Sequence, residues 1–446
     1  MLQNRRARSG IRTRTPFRTA AFEAAASAIP PSGPEGPSVQ GPIYGVGCMD
    51  PNDVHEGAIE PMRLEGVELV SADVLFRNEV GTAAGVHRSR ALLFVRVVSG
   101  DGEGWGECAA LADGTAVDPP RYEVEKAAGD RGVGRLLRAA AARNGHLPSA
   151  AEVPQLYGSG PADRLLAAAF EMAVSDLELR ARGRSLADHL GVGPGFESLP
   201  VGAVLGIPPD GDLGLLRHQV DVAISAGAAR ARVKIEPGWD VEPIRAIRAE
   251  HPALTLQVDA NGSYRAEPDD IARLARLAEF GVLCVEQPLP PSDLVALAQL
   301  AQKLPIPICL DESLSSPRRV QDALRNGACA MACLKPARLG GLRAARAAHA
   351  ACAAAGVPAF VGGFFEAGLG RAANLALAAR LSQDAVGLVS DVSSPSDYLV
   401  LDPCDYPDVV DGWVRVPTEP GVGRPPDAAV LARLEARRRW FPAAYT

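Results

Sequence analysis

From residue 200 onward the chain alternates short apolar runs with longer amphipathic stretches. The runs are ARVKI, LTLQVD, VLCVE, IPICLD, MACLK and VPAFVGG. Between them come VEPIRAIRAEH, PDDIARLARLAEF, DLVALAQLAQKL, PRRVQDALRNG and LRAARAAHAACAAAG, which read as helices. Strands alternating with helices of this length predict a parallel sheet. Several such units over about 200 residues favour a closed (β/α) barrel. A doubly wound open sheet is the alternative, and no GxGxxG turn accompanies it.

Five ionisable residues end five successive predicted strands: Lys234, Asp259, Glu286, Asp311 and Lys335, spaced by 25, 27, 25 and 24 positions. The C-terminal ends of barrel strands form one rim, where the active sites of this architecture lie. Alternation along the second of these strands puts Leu254, Leu256 and Val258 on one face and Gln257 and Asp259 on the other. The apolar face packs on the helices, so Asp259 points inward. The same parity stacks Glu286 above Cys284, Asp311 above Cys309, Lys335 above Cys333 and Lys234 above Arg232, with the cysteines in a buried layer beneath the rim. One strand-end acid reads as a helix cap or a surface group. Three consecutive ones repel each other unless a cation sits between them. Oxygen donors without histidine suit a hard divalent ion, Mg²⁺ first and Mn²⁺ second, better than Zn²⁺.

Charge composition sharpens this picture. Lys and Arg together number 46, yet the only lysines are Lys126, Lys234, Lys303 and Lys335. Arginine stays protonated at any useful pH, whereas a lysine can give up its proton once its pKa falls to about 7–8. Two lysines at the rim therefore predict acid/base chemistry, while Lys126 and Lys303 sit in polar helical contexts. None of the seven histidines ends a predicted barrel strand. A divalent ion between two lysines implies a small-molecule carboxylate substrate. The ion binds the carboxylate, a lysine removes the neighbouring α-proton, and the ion stabilises the enediolate. A leaving group then gives elimination, and protonation from the opposite face gives racemisation. Net charge of -7 excludes a general basic field for nucleic acid. No run approaches the ~20 apolar residues of a membrane span. Eight cysteines without a CxxC pair indicate reduced thiols in a cytoplasmic protein. Residues 1–61, with an Arg-rich start and a Pro/Gly/Ser run, read as a disordered tail, with an organellar targeting peptide as the lesser alternative.

The stretches RVKIEPGWDVEPIRAIR, LQVDANGSY, VEQPL, ICLDESL, LKPARLGG and GGFFEAGLGRAAN resemble the enolase superfamily in its muconate-lactonising subgroup. With GEGWGECAAL near Gly102, they are most similar to the branch that contains o-succinylbenzoate synthase and N-acylamino acid racemase. The resemblance runs from Met62 to the C-terminus. It implies an α/β fold: an α+β capping domain over 62–200, a (β/α)7β TIM-like barrel over 201–405, and a C-terminal segment, 406–446, that returns to the cap. A lid loop is expected at Phe76–Arg90, with His87 either near substrate or solvated. The same resemblance implies Asp259, Glu286 and Asp311 as metal ligands, Lys234 as the acid/base and Lys335 as its partner. Asn261 and Glu312 would orient the ligands, and Gly362 and Gly363 would bring backbone close to substrate. Two departures stand out. The family's Lys-x-Lys is Arg232-Val233-Lys234 here, so Arg232 would lower the Lys234 pKa without being a base. Ala337 replaces a common glycine, with Arg338 left to bias Lys335. The activity expected first is dehydration in menaquinone biosynthesis, then N-acylamino acid racemisation, then dipeptide epimerisation. The protein is expected to be a homo-oligomer with neither nucleic acid nor membrane as partner.

Overall fold

The computed structural model describes residues 61–83, 85–384 and 388–444. The tail expected over 1–61 lies outside them, apart from Pro61. In chain order the strands are β1 (Leu64–Thr82), β2 (Gly85–Ser99), β3 (Gly102–Cys108), β4 (Ser198–Pro200), β5 (Gly202–Leu205), β6 (Arg230–Lys234) and β7 (Thr255–Asp259). They continue with β8 (Val285–Glu286), β9 (Ile308–Leu310), β10 (Met331–Leu334), β11 (Ala359–Val361), β12 (Val409–Val410), β13 (Trp413–Arg415) and β14 (Arg437–Pro442).

Strands β5 to β11 form one parallel sheet in sequence order, and each expected helix follows its strand, which makes an α/β barrel. Leu256 and Val258 enter the large apolar core shared with the surrounding helices. Their neighbours Gln257 and Asp259 are buried on the other face. Inside the sheet Cys284, Cys309, Met331, Cys333 and Phe360 form a separate small cluster, the layer that strand parity predicts. The seven cysteines among the described residues are all free and buried. Helices start where the sequence supplies an acceptor: Asp240 caps Val241–Glu250, Asp293 caps Leu294–Ala301, and Ser316 caps Pro317–Arg325. The eighth strand of a (β/α)7β arrangement is reduced to a backbone hydrogen bond among the described residues. Asp391 N–H donates to Val361 O over 2.9 Å, and Ser390 Oγ accepts from Val361 N.

A second sheet, antiparallel in the order β14-β1-β2-β3, carries its own apolar core with the helix Pro161–Ala181. The glycines of GEGWGEC let that helix lie on β3: a Cβ on Gly106 would fall 2.0 Å from Ala169 O. Strand β14 pairs with β1, so the last residues of the chain complete this sheet. Its acids reach the barrel directly. Glu107 accepts from Ala367 and Gly370 N–H at the start of helix Gly368–Asp384, and Glu171 accepts from Leu342 N–H at the start of helix Leu342–Ala354.

The stretch expected to be a lid loop is mostly strand. β1 and β2 run through it as a hairpin with a register shift between Leu75 and Val80. Alternating Val74, Phe76 and Val80, buried or packed against the core, keep this end paired. Its tip touches the loop after β5, where Ile207 N–H donates to Gly81 O over 2.8 Å.

Candidate active site

The five rim residues come together. In the ladders Lys234 lies beside Asp259, and Asp259 beside Glu286. Asp311 and Lys335 directly follow β9 and β10. From β6 to β8 the pairing has no offset, so a spacing of one strand-helix unit gives neighbouring side chains, whereas Glu286 pairs with Cys309 and Cys309 with Met331, so Asp311 and Lys335 lie further along the rim. Asp259, Glu286 and Asp311 are all buried, and the two lysine side chains are 10% and 12% exposed.

Lys234 Nζ lies 2.6 Å from Asp259 Oδ2 and 2.9 Å from Asn261 Oδ1. Asn261 Nδ2 donates to Glu312 Oε1 over 3.0 Å. On the other side Lys335 Nζ lies 2.9 Å from Asp311 Oδ2 and 4.5 Å from the centre of the Phe364 ring. Burial would lower the Lys335 pKa, but the Asp311 carboxylate, joined by Cys333 and Glu312, holds the ammonium above the usual lysine range. A lowered pKa is therefore not what this arrangement gives Lys335; Arg338 pulls downward, but Asp311 is closer in effect. Burial also works against ionised Asp311, yet Lys335 and Arg338 together keep it below the usual carboxylate range.

Arg232 pairs with two carboxylates. Its guanidinium donates to Glu286 (3.0 Å) and to Asp391 (2.5 Å), because an inward side chain two residues below the rim meets the middle of the barrel. Gln257 Nε2 adds a 2.5 Å bond to Glu286, and Arg230 pairs with Asp391 and Gln257. Burial would raise the Asp391 carboxyl, but Arg232 and Arg230 hold it at about 2. Glu286 goes the other way. Burial lifts it, Arg232 opposes, and repulsion from Asp259 and Asp311 adds to the rise, to about 8. Among the described residues, one group of potential metal-ligating side chains has donor atoms all within 4.8 Å of one another: Glu286, Asp311 and Cys333. Asp259, paired with Lys234, stands outside it.

The remaining expected residues fall in or beside the rim. Arg338 is buried and bridges Asp311 to Asp118, which accepts from Nη2 over 2.7 Å. Gly362 leaves room for side chains: a Cβ there would lie 2.4 Å from Cys333 Sγ and 3.1 Å from Lys335 Cε. A Cβ on Gly363 would lie 2.7 Å from Arg371 Nη1. His87 is partly buried, and its pKa is lowered by burial and then by the charge of Lys234, which puts the hairpin tip within electrostatic reach of the site. Sequence reasoning gave no role to Gln257, Asp391 or Asp118. Gln257 had a signal, since it shares the inward face of β7 with Asp259. Asp118 and Arg338 are 220 positions apart, with nothing local to join them.

The enolase C-terminal domain-like family matches residues 215–430. An N-succinylamino acid racemase from Amycolatopsis is 38% identical over 384 residues, which cover 85% of this chain and all of the relative. The chain belongs to the enolase superfamily. An o-succinylbenzoate synthase from Geobacillus kaustophilus is 34% identical over 362 residues, covering 81% of this chain and 92% of that protein. Among solved structures, an enolase superfamily member from Listeria innocua superposes with a TM-score of 0.76 at 27% identity, over 86% of this chain and 100% of its own. Among the described residues, no helix is long and apolar enough to cross a membrane.

Proposed function

We propose that this superfamily member removes the proton α to a carboxylate with the help of a divalent metal ion. Its principal reaction is then the syn dehydration of 2-succinyl-6-hydroxy-2,4-cyclohexadiene-1-carboxylate to o-succinylbenzoate, in menaquinone biosynthesis. One observation carries the reading: three buried strand-end acids on consecutive strands lie between two lysines. The relatives named o-succinylbenzoate synthase support it.

The donor set fits a hard cation. Asp259 and Asp311 repel the charge on Glu286 and help hold it at about 8, a repulsion that a cation relieves. Asp259, Glu286 and Asp311 would hold the ion, Mg²⁺ before Mn²⁺, which supplies polarisation of the substrate carboxylate and so acidifies the adjoining C–H. Lys234 removes the α-proton and delivers it to the departing hydroxyl on the same face. Lys335 contributes positive charge where negative charge develops. That role needs no proton loss, whereas racemisation would need Lys335 as a second base. In this reading residues 62–200 cap the barrel of 201–405, the hairpin tip acts as its lid, and 406–446 return to the cap. The protein works as a cytoplasmic homo-oligomer.

Racemisation of N-acylamino acids is the second reading, favoured by a lysine on each side of the acids and by the name of the Amycolatopsis relative. One assay separates the two. The Mg²⁺-loaded protein is offered the cyclohexadiene carboxylate and both enantiomers of an N-succinylamino acid. A larger kcat/KM for dehydration supports the first reading, and a larger value for racemisation transfers the role to the second. Turnover of neither, with no metal dependence, would sink both.

A further inference from the structure

The two lysines are held differently. Lys335 meets a carboxylate and an aromatic ring face. Lys234 meets a carboxylate and the end of a hydrogen-bonded chain, Lys234–Asn261–Glu312. An ammonium only donates, so it needs the oxygen end of the Asn261 amide, and the nitrogen end is left to donate to Glu312 Oε1. The Glu312 contact thus fixes which end of Asn261 faces Lys234. Asn261 is itself pinned. Its φ is +45°, in the left-handed region that asparagine tolerates, and its N–H donates to Asp259 Oδ1 over 3.1 Å. The same aspartate pairs with Lys234, so base and amide share one anchor. Glu312 is 7% exposed, and its Oε2 has no hydrogen-bond partner, so its one bond goes to Asn261.

We propose that Asn261 and Glu312 are positioning residues for Lys234: Glu312 orients the Asn261 amide so that its oxygen holds the ammonium on one face of the substrate. The inference rests on the reading of Lys234 as acid/base and goes beyond a general role in orienting metal ligands. Its consequence is facial. Loosening this chain impairs proton transfer on the Lys234 side and spares the Lys335 side, whereas a disturbed metal site impairs both.

The test uses the small lysine count. With ¹³C at lysine Cε, the full chain gives four side-chain signals, assigned by single Lys→Arg variants. Asn261→Gly removes the amide while accepting the positive φ without strain. Glu312→Gln keeps shape but lets the amide turn over, because glutamine can donate. In both variants the Lys234 signal is expected to shift or broaden while those of Lys335, Lys126 and Lys303 stay, which also reports an intact fold. An unmoved Lys234 signal, or an equal movement of Lys335, overturns the inference. The second arm follows deuterium exchange at Cα of each N-succinylamino acid enantiomer in D₂O. The enantiomer whose exchange Lys234→Ala abolishes should slow about 10- to 100-fold in Asn261→Gly, and the other less than about threefold, since ångström-scale misplacement has costs of that order. Equal slowing of the two also overturns the inference. A parent protein that exchanges neither enantiomer overturns the base assignment instead. The lysine spectrum, which needs no turnover, tells that failure from failure of the relay.

Discussion

Removing the Asp118 carboxylate should weaken the join between the two sheets and disturb Asp311 at the same time. Asp118 follows β3 and accepts from Arg338 Nε over 3.0 Å and from Nη2 over 2.7 Å. Arg338 Nη1 meanwhile donates to Asp311. The Arg338 and Asp118 side chains are 1% and 3% exposed, so little solvent screens the pair. Removing one partner of such a buried pair costs about 3–5 kcal/mol, most of it from the cation left behind. Arg338 keeps Asp311 as a counter-ion, so Asp118→Ala is expected near the lower end, about 3 kcal/mol. A cycle with Arg338→Met isolates the coupling, expected at about 2 kcal/mol or more for groups in one network. Burial opposes ionised Asp118, but Arg338 holds the carboxyl below its usual 3.8. A depressed acid stabilises the fold above its unfolded pKa and loses that contribution as pH falls through 3.8 and below. The penalty of Asp118→Ala should therefore shrink in acid. Urea unfolding of the four proteins at neutral and acid pH reads both effects, and magnesium titration reads a third, since an Arg338 leaning on Asp311 alone competes with the ion. A coupling under about 0.5 kcal/mol, the scale of a surface pair, would refute the argument.

Asp259→Asn should lose divalent-ion affinity and turnover while keeping its far-ultraviolet spectrum; unchanged binding by calorimetry would remove Asp259 from the ligand set. Lys335→Arg should retain measurable dehydration and lose racemisation, because arginine keeps charge without basicity, whereas Lys234→Arg should lose both; the reverse pattern makes Lys335 the base. Burial raises Glu171 to about 7, opposed by the Arg343 and Leu342 amides. The folded state then holds this proton more tightly than the unfolded chain, and stability falls as pH climbs from 4.5 to about 7. Glu171→Gln should flatten that slope in denaturation curves, and an unchanged slope would count against it. Gly362→Ala should cost about 1–3 kcal/mol by overpacking, and Cys333→Ala in the same chain should restore part of it by removing the sulfur 2.4 Å away. No recovery in thermal unfolding would mean that the clash lies elsewhere.

The barrel was legible because its signals are local. Each strand-helix unit announces itself by an apolar run, a cap and a fixed spacing, and strand parity decides what faces inward. The rim followed from the same arithmetic, down to the cysteine layer beneath it. What the pattern missed is what depends on long side chains crossing between elements. Strand parity gave the inward direction of Arg232 but not its reach to Glu286 and Asp391. The eighth strand was expected only through the resemblance, and among the described residues it shows as the Asp391–Val361 backbone hydrogen bond. The lid loop was expected from the resemblance alone, and the structure shows Val74, Phe76 and Val80 carrying a strand's inward side there while Arg77, Asn78 and Glu79 are exposed.

The division of labour between arginine and lysine in the rim follows from these contacts. Arg232 joins Glu286 to Asp391, Arg338 joins Asp118 to Asp311, and Arg230 joins Asp391 to Gln257. Each arginine spans two partners on different elements, a use that suits a planar fork that never loses its charge. Each lysine, among the described residues, pairs with a single carboxylate: Lys234 with Asp259 and Lys335 with Asp311. A group that must move a proton cannot also brace the barrel, because the brace would weaken at each transfer. A chain that draws on arginine for almost all of its positive charge therefore gains rigid support from it, and its two rim lysines stand where a proton or a mobile charge is needed.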